Sequence, residues 1–252
     1  MEQHQKISKA ASKIQNAAKI TVFTGAGLSV ASGIPSYRDP LDGHWSRFDP
    51  KEMATREGFR RNPKLVWEFA QWRRQLIKNS QPNESHRILA NWSQVHPQFT
   101  LITQNIDDLH QRAGSHNTLR LHGSIWNVAC SLPCEESPRR WRDTRTEFTR
   151  LPPKCHFCGA NLRPGGVWFG ERLPLSEAFR SAQATQCDVF FVIGTSAEVY
   201  PAAKLIGQAK ESGAFTIEIN PDFTPASSIV SLSLHMAAEK ALKEIDTLVN
   251  WS

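Results

Sequence analysis

Four short apolar runs, each followed by small or polar residues, constrain the fold of this chain most strongly. They cover residues 20–23, 99–103, 189–193 and 215–219, and helical patterns lie between them at 85–92, 176–184 and 202–212. Apolar strands that alternate with helices are typical of a doubly wound parallel sheet with helices on both faces. Ligands of such sheets bind beyond the carboxyl ends of the strands. The residues that follow the four runs are therefore the first candidates for a binding site.

Four of the five cysteines form two close pairs, Cys130 with Cys134 and Cys155 with Cys158, and Cys187 is left over. This spacing predicts a zinc ribbon with four thiolate ligands, and the alternative is four unrelated free thiols. A site closed by four thiolates has no open position for water. We therefore expect the zinc to stabilise the fold and to take no part in catalysis.

Two segments interrupt the pattern of strands and helices, and together they predict a small domain inserted into a large one. Residues 41–82 carry apolar side chains at helical spacing, and residues 127–166 hold both cysteine pairs. The predicted large domain comprises residues 1–40, 83–126 and 167–252. The predicted small domain has a helical part, 41–82, and a zinc-ribbon part, 127–166.

The composition limits the class of protein. The chain has 252 residues, of which 40% are hydrophobic and 21% charged, so it has enough apolar side chains for a globular core. No apolar run approaches the roughly 18 residues of a membrane span, so no membrane partner is expected. The N-terminal segment lacks the apolar core of a secretory signal, and we expect a cytoplasmic protein. The net charge of +6 favours acidic partners or nucleotides.

Three places carry candidate chemistry. Gly25 and Gly27 follow the first apolar run, where glycines let a backbone approach a pyrophosphate; the alternative is a plain strand-to-helix turn, since Val30 replaces the third glycine of a dinucleotide motif. His122 is a candidate general base or a structural histidine. Asn105 and Asp107 are candidates for contacting a ribose or orienting a substrate, and Asp107 is also a candidate helix cap.

Several motifs taken together resemble one family. They read TGAGLS at 24–29, GIP at 33–35 with Arg38, PN at 82–83 with His86, TQNIDDLH at 103–110, LHGS at 121–124, VWFGE at 167–171, GTS at 194–196, VYPA at 199–202 and IN at 219–220, with the two cysteine pairs between the fifth and sixth. In this order, over residues 15–245, they resemble the sirtuins, NAD-dependent protein-lysine deacylases. The resemblance is to the bacterial and mitochondrial branch that includes desuccinylases.

The resemblance implies a Rossmann-like large domain, a zinc-ribbon and helical small domain, and a cleft between them for NAD and an acylated lysine of a protein substrate. The acyl group would pass from lysine to ADP-ribose as nicotinamide is released, with His122, Asn105 and Asp107 as catalytic residues. The implied cofactor-binding residues are Gly25, Ala26, Gly27, Ser29, Pro35, Tyr37, Arg38, Gln104, Asn105, Ile106, Asp107, Gly194, Thr195, Ser196, Asn220 and Ala237. The implied substrate residues are Ala70, Arg73, Val167, Phe169, Gly170, Glu198 and Val199.

The chain departs from the desuccinylase pattern at the acyl pocket, where Ala70 stands in place of the tyrosine of a Tyr-x-x-Arg pair and Arg73 keeps the arginine. This departure predicts a wider pocket, in which Arg73 could still bind a carboxylate; the alternative for Arg73 is a solvated helix face. Two other functions stay open. One is an NAD glycohydrolase or ADP-ribosyltransferase on the same scaffold. The other is a non-enzymatic zinc-ribbon module that binds nucleic acid through the run RRWR at 139–142, with Arg145 close behind.

Overall fold

A computed structural model of the chain describes residues 2–36, 46, 49, 52–132 and 134–251. The helices are α1 (Gln3–Gln15), α2 (Gly27–Val30), α3 (Arg56–Arg61), α4 (Pro63–Asn79), α5 (Glu84–Val95), α6 (Leu109–Arg112), α7 (Leu175–Gln183), α8 (Lys204–Glu211) and α9 (Ala238–Leu248). The strands are β1 (Ile20–Thr24), β2 (Phe99–Thr103), β3 (Leu119–Arg120), β4 (Asn127–Cys130), β5 (Trp141–Arg142), β6 (Leu162–Pro164), β7 (Val189–Ile193), β8 (Phe215–Ile219) and β9 (Leu232–Leu234). None of these helices is long and apolar enough to cross a bilayer.

Six strands form one parallel sheet in the order β3-β2-β1-β7-β8-β9. Because side chains alternate along a strand, β1 sends Ile20 and Val22 into one core cluster and Phe23 into another. The first cluster packs against α1, α5 and α9, and the second against α8. The sheet is thus covered on both faces, and the fold class predicted from the sequence is confirmed.

A second, smaller sheet carries the cysteine pairs. It is antiparallel, with the order β5-β4-β6, and it packs against α4. Trp67 of α4 is fully buried and donates from Nε1 to the carbonyl of Leu162 at 2.6 Å. Arg74 lies about two turns further along the same face of α4. It is also fully buried and donates from Nε to the carbonyl of Ile125 at 3.0 Å. These contacts attach the small sheet to α4, while the domain boundaries stay a prediction.

Helix α4 begins at a strong start signal. The Asn62 side chain accepts from the backbone N–H of Leu65 at 3.0 Å, and Pro63 occupies the first helical position, where its missing N–H is not needed. The helix is 17 residues long. Trp67 packs against the small sheet, and Ile77 near the end of the helix packs against Leu109 of α6.

Candidate active site

One large cleft lies beyond the carboxyl ends of the central strands of the parallel sheet. Its volume is about 800 Å³, and its walls come from the residues that follow β1, β2, β7 and β8, from α4 and from segment 164–171. This is the place that the topology of a doubly wound sheet predicts for a ligand, and the volume lies within the range of small-molecule sites.

Every catalytic, cofactor and substrate residue predicted from the sequence lines this cleft, provided that the structure describes it. The residues brought together are Gly25, Ala26, Gly27, Ser29, Pro35, Ala70, Arg73, Gln104, Asn105, Ile106, Asp107, His122, Val167, Phe169, Gly170, Gly194, Thr195, Ser196, Glu198, Val199, Asn220 and Ala237. Tyr37 and Arg38 lie outside the described residues. Sequence reasoning missed the apolar lining of Met53, Val66, Phe69 and Trp168, which no polar motif marks.

The turn after β1 interlocks with the turn after β7. The N–H of Gly25 donates to the carbonyl of Ile193 at 2.9 Å, and that of Gly27 donates to the carbonyl of Gly194 at 2.8 Å. A Cβ atom on Gly25 would stand 2.7 Å from the Cα of Thr195, which is closer than side chains are found. Glycine is therefore required here for the contact between two loops. That reason differs from the approach to a pyrophosphate, since two of the amide groups are already engaged.

A buried polar network follows β2. Asn105 donates from Nδ2 to Ser29 Oγ at 3.2 Å, and Ser29 Oγ donates to Asp107 Oδ2 at 3.0 Å. The other Asp107 oxygen accepts from the N–H of Leu109 at 3.1 Å, so Asp107 caps the turn before α6 while it faces the cleft. Burial raises the pKa of Asp107, and the bonds from Leu109 and Ser29 offset part of that rise. The network fixes the orientation of two polar side chains at the edge of the cleft.

The hydrogen-bond partner of His122 determines which nitrogen of its ring carries the proton. Its Nδ1 lies 3.0 Å from the backbone carbonyl of Gln104. Because a carbonyl only accepts, Nδ1 carries the hydrogen, and the Nε2 of the neutral ring keeps a lone pair. Burial lowers the pKa of His122 below its ordinary value, and the bond to Gln104 opposes that effect in part. At neutral pH the ring is therefore a base that is ready to take a proton.

Two fully buried histidines lie behind the cleft. The rings of His86 and His110 are 4.9 Å apart, and His110 Nε2 is 3.0 Å from the hydroxyl of Thr24 at the end of β1. Thr24 donates to Thr103 Oγ1 at 2.8 Å, and Thr103 Oγ1 accepts from the N–H of Asn105 at 3.0 Å. Burial lowers the pKa of His86 to about 3 and that of His110 well below its ordinary value. Both rings are neutral, and their connection to Asn105 could not be read from the sequence.

The four paired cysteines meet at one point beside the small sheet. The sulfur atoms of Cys130, Cys134, Cys155 and Cys158 all lie within 4.8 Å of one another. Four thiolates around a zinc ion at about 2.3 Å stand roughly 3.8 Å apart, so this cluster fits a tetrahedral zinc site. None of these four residues lines the cleft. The fifth cysteine, Cys187, lies outside the cluster and packs against the second core cluster of the large sheet.

The sheet, the cleft at its strand ends and the four-cysteine sheet define a class of protein: a nucleotide-binding type of α/β fold that carries a zinc ribbon. The model of one family, described as the Sir2 family, matches residues 25–201. The chain belongs to the Sir2 family, and the resemblance found in the sequence is confirmed.

Related sequences align with nearly the whole chain. A protein of Aquifex aeolicus (strain VF5) named NAD-dependent protein deacylase is 49% identical over 227 residues, which are 90% of this chain and 93% of that protein. One of Mycobacterium tuberculosis (strain ATCC 25177 / H37Ra) with the same name is 44% identical over 229 residues, covering 89% of this chain and 94% of its own.

Solved structures give the same result. A crystal structure described as a Sir2 homolog-NAD complex has a TM-score of 0.88 and 40% identity, covering 95% of this chain and 92% of its own. A structure described as Sir2-p53 peptide-NAD+ has a TM-score of 0.82 and 27% identity, covering 94% of this chain and 95% of its own.

Proposed function

We propose that this chain is an NAD-dependent protein-lysine deacylase, which transfers an acyl group from lysine to ADP-ribose and releases nicotinamide. The observation that carries the proposal is a single cleft that holds both halves of such a site. Strand-end residues of the large sheet line one part of it, and His122 and segment 164–171 line another. A cofactor in the first part and a peptide at the second would meet beside the His122 ring.

The chain fits NAD through residues of the large sheet. Gly25, Ala26 and Gly27 are proposed to lie along the pyrophosphate, and Gly194, Thr195, Ser196 and Asn220 to hold the adenosine half. Asn220 is already fixed, because its Nδ2 donates to the carbonyl of Thr195 at 2.9 Å. When bound, NAD supplies a ribose carbon whose bond to nicotinamide can be broken. The buried Ser29, Asn105 and Asp107 network is proposed to orient the nicotinamide end.

His122 is the proposed general base. With Nδ1 committed to the Gln104 carbonyl, Nε2 is the atom available to take a proton from a ribose hydroxyl. Asn105 and Asp107 would hold the reacting groups in place, because their side chains are buried and joined through Ser29. The zinc ion is proposed to stabilise the small domain only.

The acylated peptide is proposed to lie as an extended strand between segment 167–171 and residues 198–200. Segment 167–171 is fixed by backbone bonds at Val167 and Phe169, and it turns at 168–171, where the N–H of Glu171 donates to the carbonyl of Trp168 at 3.0 Å. The N–H of Val167 donates to the carbonyl of His122 at 2.9 Å, and the N–H of Phe169 donates to the carbonyl of Ala54 at 2.9 Å. This arrangement would place the lysine side chain near His122.

The acyl group is proposed to contact α4. Ala70 and Arg73 line the cleft one helical turn apart, with Val66 and Phe69 beside them. Arg73 is only 5% exposed, so it does not lie on a solvated helix face. Its Nη2 lies 3.5 Å from the backbone carbonyl of Pro35, another residue that lines the cleft. We propose that acetyl groups are accepted and that Arg73 admits acyl groups that end in a carboxylate.

The function is tested by incubating the protein with NAD and with acetyl- or succinyl-lysine peptides. We expect O-acyl-ADP-ribose and free nicotinamide in equal amounts. No O-acyl-ADP-ribose with any acyl chain would refute the proposal. Nicotinamide release without any peptide would instead favour the glycohydrolase or ADP-ribosyltransferase.

The acyl preference is tested by comparing wild type with Arg73→Ala on both peptides. If Arg73 binds a carboxylate, the substitution lowers kcat/KM for the succinyl peptide by about tenfold or more and spares the acetyl peptide, since a charge-assisted bidentate bond is lost. Equal losses on both peptides would rule out this role.

A further inference from the structure

Glu171 ends the segment to which the peptide is proposed to bind, and its carboxylate is almost fully enclosed. The side chain is 6% exposed. Its two oxygens accept hydrogen bonds from Nη1 and Nη2 of Arg163 at 2.5 and 3.1 Å. Arg163 also donates to the carbonyls of Pro164 and Gly166, and its guanidinium lies 3.7 Å from the centre of the Trp168 ring. Glu171 accepts a further bond from the N–H of Trp168 at 3.2 Å. Arg163 and Glu171 thus fix the backbone between Pro164 and Trp168 through hydrogen bonds.

Two more arginines reach the same carboxylate from other parts of the chain. Arg56, the first residue of α3, places Nε 3.0 Å from Glu171 Oε1. Arg140, which precedes β5 in the small domain, places Nη2 3.6 Å from Glu171 Oε2. Within the described part of the chain, three guanidinium groups therefore contact one carboxylate, and these four side chains together carry two more positive than negative charges.

The pKa shifts agree with such an excess. Burial alone would raise the pKa of Glu171, but the bonds and charge of Arg163 and the bond from Arg56 bring it down to about 2. The pKa of Arg140 is lowered, first by burial and then by the positive charge of Arg163. A single carboxylate thus leaves the positive charge of this group of arginines only partly balanced.

Arg56 and Arg140 lie on the accessible side of this group. The side chain of Arg56 is 72% exposed and that of Arg140 is 35% exposed, whereas that of Arg163 is 11% exposed. Arg56 follows Thr55, which pairs with Phe169 as a β-bridge and so occupies one edge of segment 167–171. Arg56 and Arg140 reach the rim of the cleft through Glu171, which both contact and which itself lines the cleft. A guanidinium has five donors, so one bond to Glu171 leaves capacity for a second carboxylate.

We propose that Arg56 and Arg140 form a subsite that selects substrates with aspartate or glutamate close to the acylated lysine. This inference rests on the proposed deacylase function and adds to it the charge of the preferred protein sequence. Oppositely charged groups at the rim of a binding site raise the rate of encounter and discriminate against like-charged partners. A basic sequence around the lysine would be disfavoured for the same reason.

The test uses three acetyl-lysine peptides that are identical except for the residues flanking the lysine, which are all glutamate, all glutamine or all lysine. We expect kcat/KM to fall in that order, by about twofold to fivefold at each step at low salt, because exposed ion pairs are weak. The difference should appear in the KM of the peptide rather than in kcat. It should shrink at roughly 0.5 M salt, where charges are screened.

Two variants assign the preference to the subsite. In Arg56→Gln and in the double variant with Arg140→Gln, the ratio of kcat/KM between the glutamate and glutamine peptides should fall toward one. The matched control is Arg61→Gln, on the same helix and 65% exposed, whose guanidinium faces Glu52 at 4.0 Å. It should keep the wild-type ratio.

Equal turnover of the three peptides by the wild type would overturn the inference and leave the deacylase function intact. A preference that persists in Arg56→Gln and in the double variant would also overturn it. Failure of all three peptides to react would instead count against the proposed function. Because the peptide series is read on the wild type, the inference is tested even if a variant does not fold.

Discussion

At the scale of single residues, the site depends on where protons reside. The Gln104 carbonyl assigns a hydrogen to Nδ1 of His122, and burial keeps the ring neutral. The sequence alone indicated His122 as a base through the LHGS motif, but it carried no information on the tautomer. The tautomer depends on a backbone carbonyl 18 residues away in the chain. Such contacts are set by the packing of β2 against β3, which local sequence does not encode.

Replacing His122 tests its role as the base. We expect His122→Ala to lower kcat by about 10²- to 10⁴-fold, the usual contribution of a positioned general base. The variant should keep its thermal stability within a few degrees and retain its zinc. The measurement is O-acyl-ADP-ribose formation under saturating NAD and peptide. A variant with near-wild-type turnover would show that another group takes the proton.

The pH dependence of activity follows from the same residue. Protonation of Nε2 at low pH removes the base, so kcat/KM should fall on the acid side with an apparent pKa below about 6.5, because burial lowers the pKa of His122. The profile is measured between about pH 5 and 9 with an acetyl-lysine peptide. An acidic limb that is centred above the ordinary histidine value would contradict the environment described here.

His86 should affect stability in the same pH range. Its folded pKa of about 3 lies below the unfolded value, so the unfolded chain binds the proton first and stability is lost as the pH falls below about 6.5. From pH 7 to 4.5, His86 alone should cost about 2–3 kcal/mol of unfolding free energy. The measurement is urea unfolding at both values. In His86→Asn this pH-dependent loss should be smaller; an identical loss would assign it to other groups.

At the scale of elements, the position of the cleft depends on two interlocked turns. The turns after β1 and β7 approach so closely that only glycine fits at 25, 27 and 194, and Gly194 itself has a left-handed φ of +60°. The sequence predicted the strands β1, β2, β7 and β8 because their apolar runs are long. It did not predict β9 or the small three-stranded sheet, whose strands have two to four residues and are set by tertiary contacts.

Gly27→Ala tests the interlocked turns. The new Cβ would lie 2.8 Å from the carbonyl oxygen of Gly194, so one of the two turns must move. Because both turns line the cleft, we expect NAD to bind at least about tenfold more weakly, measured by calorimetric titration. The matched control is Gly207→Ala in α8, where a Cβ meets no atom of the described chain within 4 Å. It should leave NAD affinity unchanged, and equal losses in both variants would contradict the argument.

At the scale of the whole molecule, the large sheet and the small one have different sources of stability. The large sheet buries two apolar clusters, one on each face. The small sheet has three short strands, a limited apolar cluster against α4 and the four cysteines. The cysteine spacing predicted the cluster of four thiols, but it did not predict the three short strands around that cluster. The apolar wall of the cleft was not predictable, because Met53, Val66, Phe69 and Trp168 read as ordinary core residues until the chain is folded.

Removing zinc should therefore act on the small sheet first. Cys130→Ser or Cys155→Ser should lose about one zinc per chain, lower the midpoint of thermal unfolding and abolish turnover through disorder of the small domain. The matched control is Cys187→Ser, which should retain the metal, since Cys187 lies outside the cluster. Metal analysis and thermal unfolding provide the readout. Full activity in a variant without zinc would contradict a stabilising role.

Helix α4 has one face that lines the cleft and an adjacent face that packs against the small sheet. Val66, Phe69 and Arg73 line the cleft, whereas Trp67 and Arg74, one position further on, are fully buried and bonded to the backbone around the small sheet. Residues three or four apart share a helical face, so the two groups form adjacent stripes. Substitutions in the group that lines the cleft could thus change the range of acyl groups removed. The buried group would keep α4 attached to the small sheet. A directed-evolution library limited to positions 66, 69, 70 and 73 would exploit that division.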